Sequence, residues 1–327
     1  MRCVITFFAL ILATGWLTAC GYKNYHSNTS PNTRLFAYIS NASNSTLSLC
    51  PVSMTDGSLG TCTTTNGNAT FQRPLGMSIN PSISLIYITN FTNSTISICP
   101  INSDDSLGTC TTTNANGTLS NPDGIALNST GTFAYISSVS NNTVATCPIN
   151  SDGSFGTCTA SNGNGTFSAP QAINLNEAST FAYISNGNAS MSICPINGNG
   201  SLGTCTTSTG NGTFQEPQGL SFNETETFAY AGNYISNNLS ICAVNSTDGS
   251  LSACTTTTGN GTFNFSVNQV IGLFMSSPSH FGYIPNDGND TVSICPINAD
   301  SSLATCVTTS GNGTFSQPSA VVMTQRN

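Results

Sequence analysis

Short runs of apolar residues alternate with turn-forming residues along most of the chain. These runs are rich in β-branched and aromatic residues, which is typical of strands, and clusters of Gly, Asn, Asp and Ser separate them. Ser151–Ser154 has the composition of a hairpin turn. In one representative stretch the four runs are 122–128, 132–137, 142–148 and 155–159. The pattern predicts four short antiparallel strands there and an all-β protein.

The same four-run pattern occurs six times, and each copy carries one tyrosine in its second run. Successive tyrosines are 49, 48, 48, 47 and 53 residues apart. Four antiparallel strands recurring at this period are typical of a β-propeller blade, whereas a β-helical solenoid, the weaker alternative, has a shorter period. The tyrosines are Tyr38, Tyr87, Tyr135, Tyr183, Tyr230 and Tyr283.

The two ends of the repeat region complement each other. The chain enters at Phe36–Tyr38, a second-strand motif, and ends with Pro318–Thr324, a first-strand motif. The C-terminal strand is therefore predicted to become the innermost strand of the first blade, which leaves no unpaired inner edge. We predict one domain over residues 35–327, a six-bladed β-propeller with four antiparallel strands per blade.

The N-terminus has the features of an export signal. An apolar stretch from Val4 to Leu17 follows Arg2 and is too short to favour a permanent membrane span. Leu17-Thr-Ala-Cys20 resembles the bacterial lipobox, which implies a signal peptide over residues 1–19 and a lipidated Cys20. An ordinary signal peptide or an uncleaved anchor is the alternative. Residues 20–34 are then a tether, and Gly21 resembles the residue found in outer-membrane-sorted lipoproteins.

The composition excludes a helical bundle and a nucleic-acid partner. Charged residues make up 6% of the chain, against roughly 25% in an average soluble domain, and Asn, Ser, Thr and Gly replace them. Five Lys and Arg oppose thirteen Asp and Glu, so nothing can neutralise a phosphate backbone. We expect a monomer that contacts the membrane only through its N-terminal lipid.

Twelve cysteines remain once Cys3 is assigned to the signal and Cys20 to the lipid, two in each repeat. Their spacing is eleven or twelve residues, and the extra residue falls in the turn, so both members of a pair can face each other across a hairpin. Reduced buried cysteines and redox or metal chemistry are the alternatives, although each pair lacks further zinc ligands. The predicted disulfides are Cys50 with Cys62, Cys99 with Cys110, Cys147 with Cys158, Cys194 with Cys205, Cys242 with Cys254 and Cys295 with Cys306.

The motif Tyr87-Ile-Thr-Asn90, with its counterparts at Tyr38 and Tyr183, resembles the YVTN-type propeller repeat. The preceding Pro122-Asp-Gly and Asn128 match that repeat too, and the likeness covers about residues 35–325. The family includes 6-phosphogluconolactonase-like propellers, surface-layer proteins and lipoproteins. The resemblance implies a propeller and a possible lactonase activity. The cysteine pairs, and six blades in place of the usual seven, depart from the lactonase-like members.

Few residues are candidates for chemistry. Arg73, Asp123 and Glu216 are the charged residues at the entrances of the first strands, and they belong to three different repeats. They are candidate ligand contacts, with solvated loop charges as the alternative. The sequence lacks a nucleophile elbow, a phosphate loop and a clustered metal motif, so we expect no catalytic residue, no metal and no cofactor.

The turns are rich in Asn, Gly, Ser and Thr. Phe91, Val139 and Tyr234 interrupt this polar pattern between the second and third strands and are candidate binding residues. Asn-x-Thr triplets such as Asn116-Gly-Thr118 and Asn164-Gly-Thr166 would be glycan acceptors in a eukaryotic secretory pathway, and beside a bacterial lipobox they are interpreted as turns. The expected function is a non-catalytic scaffold that presents its loop face to an envelope or surface protein or a glycan. A lactonase-like hydrolase is the alternative.

Overall fold

The computed structural model of the chain describes residues 34–265, 272–276 and 279–326. The predicted signal peptide over residues 1–19, Cys20 and the tether as far as residue 33 lie outside these ranges. The fifth predicted first-strand entrance, which begins at residue 268, lies outside them too. None of the helices in the described ranges has the length and apolar character needed to span a membrane.

Twenty-four strands build six four-stranded antiparallel sheets arranged as a β-propeller, which confirms the predicted fold. The first twelve strands are β1 (Arg34–Asn41), β2 (Thr46–Val52), β3 (Thr63–Thr65), β4 (Pro74–Asn80), β5 (Leu85–Asn90), β6 (Thr95–Pro100), β7 (Thr111–Thr113), β8 (Pro122–Leu127), β9 (Phe133–Ser138), β10 (Thr143–Pro148), β11 (Thr159–Ser161) and β12 (Pro170–Leu175). The others are β13 (Phe181–Asn186), β14 (Ser190–Pro195), β15 (Thr206–Ser208), β16 (Pro217–Phe222), β17 (Phe228–Asn233), β18 (Asn238–Val244), β19 (Leu251–Thr257), β20 (Phe274–Ser276), β21 (Phe281–Asn286), β22 (Thr291–Pro296), β23 (Val307–Thr309) and β24 (Pro318–Arg326).

We number the blades I to VI along the chain. From the centre outward, blade I is β24-β1-β2-β3, and blades II to VI are β4 to β7, β8 to β11, β12 to β15, β16 to β19 and β20 to β23. The last strand of the chain therefore completes the first blade. β24 pairs with β1 from Arg34↔Arg326 to Asn41↔Pro318, as the complementary ends of the sequence predict.

The outer strands differ from the prediction. Residues 155–159 were expected to form the outer strand of blade III, but β11 begins only at Thr159, and Phe155 makes a single bridge to Ile149. Pro148 stands on the neighbouring strand opposite this gap and has no N–H to donate, so the ladder stops there. Blade V provides the contrast, because Ala243 occupies the equivalent position, pairs with Ser252, and leaves β19 seven residues long.

The core lies between the blades. Each interface combines the repeated tyrosine of one blade with a disulfide of the next, for example Tyr87 with Cys147 and Cys158. An aromatic or leucine residue after each outer strand fills the same interface and is at most 8% exposed. These plug residues are Phe71, Leu119, Phe167, Phe214, Phe263 and Phe315.

Short turns position the plug residues, as the Asn-x-Thr triplets predict. In blade III the turn Gly163–Gly165 has Asn164 at φ 57° and a Thr166 hydroxyl that donates to the carbonyl of Gly163 at 2.9 Å. The positive φ suits Asn and Gly. The 3₁₀ segments of the structure are Ala115–Gly117, Val139–Asn141, Gly163–Gly165, Gly210–Gly212, Gly259–Gly261 and Gly311–Gly313.

All six predicted disulfides are present, and each closes the hairpin between the third and fourth strands of one blade. The Cα atoms of each pair are 4.0 to 4.2 Å apart, which is the close spacing of facing residues on neighbouring strands. The extra residue in the Cys50–Cys62 pair lies in the turn, where the Gly57 N–H bonds to the Ser53 carbonyl. Because such bridges form in oxidising compartments, the six disulfides indicate an exported protein.

A buried asparagine at the end of most second strands ties neighbouring segments together. The Asn41 amide donates to Ser48 Oγ at 2.9 Å, and its oxygen accepts the backbone N–H of Ser316 at 3.1 Å. Asn90 makes the same bonds to Ser97 and to the N–H of Gln72. These side chains hold the blade connections against the turns between second and third strands.

The connections and these turns share one side of the ring, which we call the upper face. The opposite side, the lower face, carries the hairpins between third and fourth strands. The Arg34 guanidinium donates to the carbonyl of Ser103, which belongs to such a hairpin, so the described chain starts at the lower face.

Candidate functional site

The inner strands enclose a central cavity of about 280 Å³. Most of the side chains that line it are apolar, among them Met77, Ile125 and Phe274. Asn174, a polar residue of the wall, already donates to the backbone carbonyl of Leu220 at 3.3 Å. Among the described residues that line the cavity, none has an ionisable side chain. The described part of the cavity wall therefore offers no side-chain acid or base.

The residues that follow the entrance prolines of four first strands are buried at equivalent positions in the ring. They are Leu75, Asp123, Gln218 and Ser319, each 0 to 2% exposed. The strands approach so closely that a Cβ on Gly76 would lie 2.5 Å from the backbone oxygen of Asp123. The predicted candidate Asp123 is thus buried within the ring and is absent from the solvent-exposed upper surface. Its backbone carbonyl accepts the Thr89 hydroxyl at 2.7 Å.

Four of the other candidates, which the sequence suggested separately, lie together in two pairs on the upper face. The Phe91 N–H bonds to the Arg73 carbonyl, and the Tyr234 N–H bonds to the Glu216 carbonyl, both at 3.2 Å. The same bond in blade III joins Val139 to Asn121, which is uncharged. The fold therefore places an aromatic residue beside each of the two charged entrances in blades II and V.

Arg73 interacts with its aromatic neighbour directly. The centre of its guanidinium group lies 4.7 Å from the centroid of the Phe91 ring, a cation–π distance. Phe91 also packs against Leu75 and Ala42. Arg73 and Glu216 stand in opposite blades, and within the described ranges no ion pair joins them. A channel-spanning pair of these two charges is not formed.

Ile235, which the sequence analysis did not single out, is the most exposed apolar residue of the upper face. It is 59% exposed and follows the half-buried Tyr234. A comparison of the repeats could have identified Ile235, because the equivalent residues of the other blades are polar or glycine. These are Ser43, Thr92, Ser140, Asn188 and Gly288.

A second missed cluster lies on the lower face where the ring closes. Asp105 is 2% exposed, and its carboxylate lies 2.7 Å from Nε of Arg326 and 3.8 Å from Arg34. These two contacts are the ion pairs of the described ranges. They fasten both terminal strands of blade I to blade II, so the cluster stabilises the ring.

Shifted carboxyl pKa values occur on the lower face, away from the candidate pairs. Bonds from the side chain of Ser53 and from Ser58 lower the pKa of the exposed Asp56 to about 2. Burial raises the pKa of Glu226, which accepts a bond from the backbone N–H of Glu177. These carboxyl groups accept hydrogen bonds within one turn or from a neighbouring turn. The described ranges contain no group of three His, Cys, Asp or Glu side chains able to hold a metal ion.

Comparison with known proteins supports a propeller family. Residues 120–265 match the family described as "Lactonase, 7-bladed beta-propeller", less than half of the 327-residue chain. No curated protein sequence matches the chain.

Three solved structures illustrate the likeness of fold. A periplasmic gluconolactonase of Pseudomonas aeruginosa has a TM-score of 0.59 at 13% identity, over 85% of this chain and 80% of the other. A proposed 6-phosphogluconolactonase of Bacteroides fragilis has a TM-score of 0.59 at 13% identity, over 89% and 84%. A chain of a nidogen/laminin complex has a TM-score of 0.62 at 12% identity, over 89% and 98%. At these identities the likeness shows the fold alone. The match to the lactonase family over residues 120–265 suggests a hydrolase and does not favour the scaffold expected from the sequence.

Proposed function

We propose that the protein is an exported propeller that binds a polypeptide partner through its upper face, without catalysing a reaction. The observation that carries this proposal is the exposed Ile235 beside Tyr234, on a face whose turns consist mainly of Asn, Ser, Thr and Gly. Tyrosine and arginine are enriched among the residues that dominate the binding energy of protein interfaces, and the exposed Ile235 adds apolar surface for a partner to bury. The Arg73–Phe91 pair adds a second anchor in the opposite blade.

The N-terminal anchor fits this proposal. We infer that Cys20 is lipidated and holds the YVTN-type propeller at the bacterial outer membrane. The tether would join the ring at Arg34, on the lower face. The upper face then points away from the lipid, toward an envelope or surface partner.

The absence of a side-chain acid or base in the described cavity wall supports the part of the proposal that the protein does not catalyse a reaction. Ester hydrolysis needs an activated water and donors that stabilise an oxyanion. Asp123 lies on the inner strand β8, where it is 1% exposed and buried from a substrate in solvent.

Cross-linking in intact envelopes tests the proposal. We expect Ile235→Asn, which introduces the residue type of the equivalent blade IV position, to reduce partner capture at least about tenfold. Val307→Thr is the matched control, because Val307 is 62% exposed on an outer strand away from the upper face. Equal partner capture by both variants would reject the upper face as the binding surface. Capture that is lost when the envelope, but not the propeller, is treated with glycosidase, and that Ile235→Asn leaves unchanged, would identify the partner as a glycan instead of a polypeptide.

A sugar-lactone hydrolase is the second candidate, because the family match over residues 120–265 includes Asp123. Its test is hydrolysis of sugar lactones by the purified, metal-supplemented protein, beside an Asp123→Asn variant of equal thermal stability. Turnover that disappears in this variant would establish the hydrolase and displace the binding proposal. Turnover at the background rate in both proteins is the result that the cavity wall predicts.

A further inference from the structure

The turn that connects each blade to the next carries the same Asn-x-Thr triplet. In all six copies the asparagine is exposed. The six asparagines, which we call the turn asparagines, are Asn68, Asn116, Asn164, Asn211, Asn260 and Asn312.

The turn uses the threonine of each triplet, whose hydroxyl donates to the carbonyl three residues before it, but it does not require the asparagine. Each turn asparagine has a positive φ of 53 to 60°, which glycine adopts at least as readily. In blade I the middle residue is Ala69 in place of the usual glycine, yet Asn68 and Thr70 keep their spacing. The turn therefore tolerates a change at its centre while the triplet persists.

The side-chain amides of the turn asparagines are also little used by the fold. Among the described residues, the Asn260 amide reaches Thr305 Oγ1 at 3.3 Å, and the other five amides make no hydrogen bond. Asn41 and Asn90 differ, because both are 0% exposed and fully engaged. These two residues also begin Asn-x-Ser/Thr triplets, Asn41-Ala-Ser43 and Asn90-Phe-Thr92.

We propose that the six turn asparagines are N-glycosylation sites, which place a ring of glycans around the upper rim of the propeller. The triplet is the acceptor motif of N-linked transfer, and the disulfides indicate an exported protein, as that transfer requires. With charged residues at 6% of the chain, attached glycans would supply the hydration that charge provides in other proteins. This inference requires export along a route that contains an N-linked transferase. It replaces the interpretation of the triplets as turns alone, and it does not depend on the identity of a partner.

The donor is a polyprenyl-diphosphate-linked oligosaccharide, used by a membrane oligosaccharyltransferase. The asparagine Nδ2 atom attacks the anomeric carbon, and a C–N bond forms as the C–O bond to the diphosphate breaks. The displaced amide proton passes to a base of the transferase, and the lipid diphosphate leaves. No oxidant or reductant is consumed.

Intact-glycopeptide mass spectrometry of the chain purified from its own envelope tests this inference. We expect glycan mass on peptides carrying the turn asparagines and unmodified peptides for Asn41 and Asn90. Intact masses are needed because Asn-Gly sequences deamidate spontaneously, which mimics enzymatic release. Six bare turn asparagines, glycans on threonine instead, or equal occupancy at Asn41 and Asn90 would each overturn the proposal.

Two variants in one turn separate modification from structure. Asn211→Gly keeps a residue that suits φ 53°, so we expect the glycan at that site to vanish while the unfolding midpoint and the other five sites persist. Thr213→Ser keeps the triplet, and we expect occupancy to persist. Retention of the glycan in Asn211→Gly would assign it to another residue and reject the site.

Discussion

The hydroxyl of Tyr283 in blade VI donates a 2.8 Å hydrogen bond to the backbone carbonyl of Gly57 in blade I, 226 positions away in the sequence. The same bond joins earlier neighbours, as from Tyr87 to Gly153 and from Tyr135 to Gly200. Each acceptor lies in a hairpin that a disulfide closes. The repeated tyrosine is therefore an inter-blade tie, and Tyr283 extends this tie across the closure of the ring.

Removing this hydroxyl should weaken the ring closure. Tyr283→Phe leaves the buried Gly57 carbonyl without its donor, and we expect the free energy of unfolding to fall by about 1 kcal/mol. Urea unfolding measures this change. Tyr135→Phe is the control within the ring and should lose a similar amount. An unchanged midpoint for Tyr283→Phe would contradict the role of the tie.

Alkaline pH should destabilise the protein through the same residues. Burial is the main cause that raises the pKa of Tyr87, Tyr135, Tyr183 and Tyr283 to about 12, against about 10 in an unfolded chain. Above pH 10 the unfolded state loses these protons first, so stability present below pH 10 should fall steeply from about pH 10 to 12. Urea midpoints with tyrosinate absorbance, taken rapidly to limit disulfide damage, check this. Titration near pH 10 without unfolding would show that the tyrosines are accessible.

Proline should control the length of the outer strands. Ala243→Pro in blade V removes the N–H that stands opposite Ser252, and we expect β19 to shorten toward the three residues seen in other blades. Hydrogen exchange over residues 251–254 should accelerate, with a loss of about 1 kcal/mol of stability. The reverse change, Pro148→Ala, should slow exchange over residues 155–158. Unchanged exchange in both variants would mean that another feature ends the ladder.

Each disulfide should contribute its own share to the stability of the protein. Cys147→Ala with Cys158→Ala removes one short closed loop, and we expect a loss of about 3 kcal/mol in urea unfolding. The pair Cys242 and Cys254 is the comparison, because β19 gives that hairpin a longer ladder, and its removal should cost less. Peptide mapping without reductant should still find the other five bridges. An unchanged urea midpoint after full reduction would show that the disulfides do not contribute to the stability of the ring.

The C-terminal strand should be essential for the ring. Deletion of residues 318–327 removes β24 from blade I, exposes its inner edge, and should abolish cooperative unfolding. Arg326→Gln is the milder test, because it leaves the strand but removes the nearest cation of the buried Asp105, at a cost of about 2 kcal/mol. Addition of Asp105→Asn should recover part of that loss. A truncated chain that melts like the full one would refute closure by terminal strand exchange.

Local features of the sequence were enough to predict the architecture. The period of Tyr38 and its counterparts, the complementary ends, and the spacing of Cys50 from Cys62 each report on residues within one blade or on the count of blades. Strand alternation and hairpin closure are short-range properties, so the blades and the six disulfide pairings could be predicted, while the complementary ends of the repeat region predicted the terminal exchange. The outer strands could not be placed as well, because their length depends on whether a residue such as Pro148 faces them.

The candidate site depended on contacts that the sequence does not contain. Only the convergence of six inner strands buries Asp123, and only the folding of the connections against the turns brings Arg73 over Phe91. The tie from Tyr283 to Gly57 and the ion pair of Arg326 with Asp105 likewise join residues more than two hundred positions apart. The sequence by itself determined which strands pair within each blade, since pairing follows local periodicity. The tertiary structure decided which side chains meet and which are hidden from solvent, because burial and approach are set by how the closed ring packs its blades together.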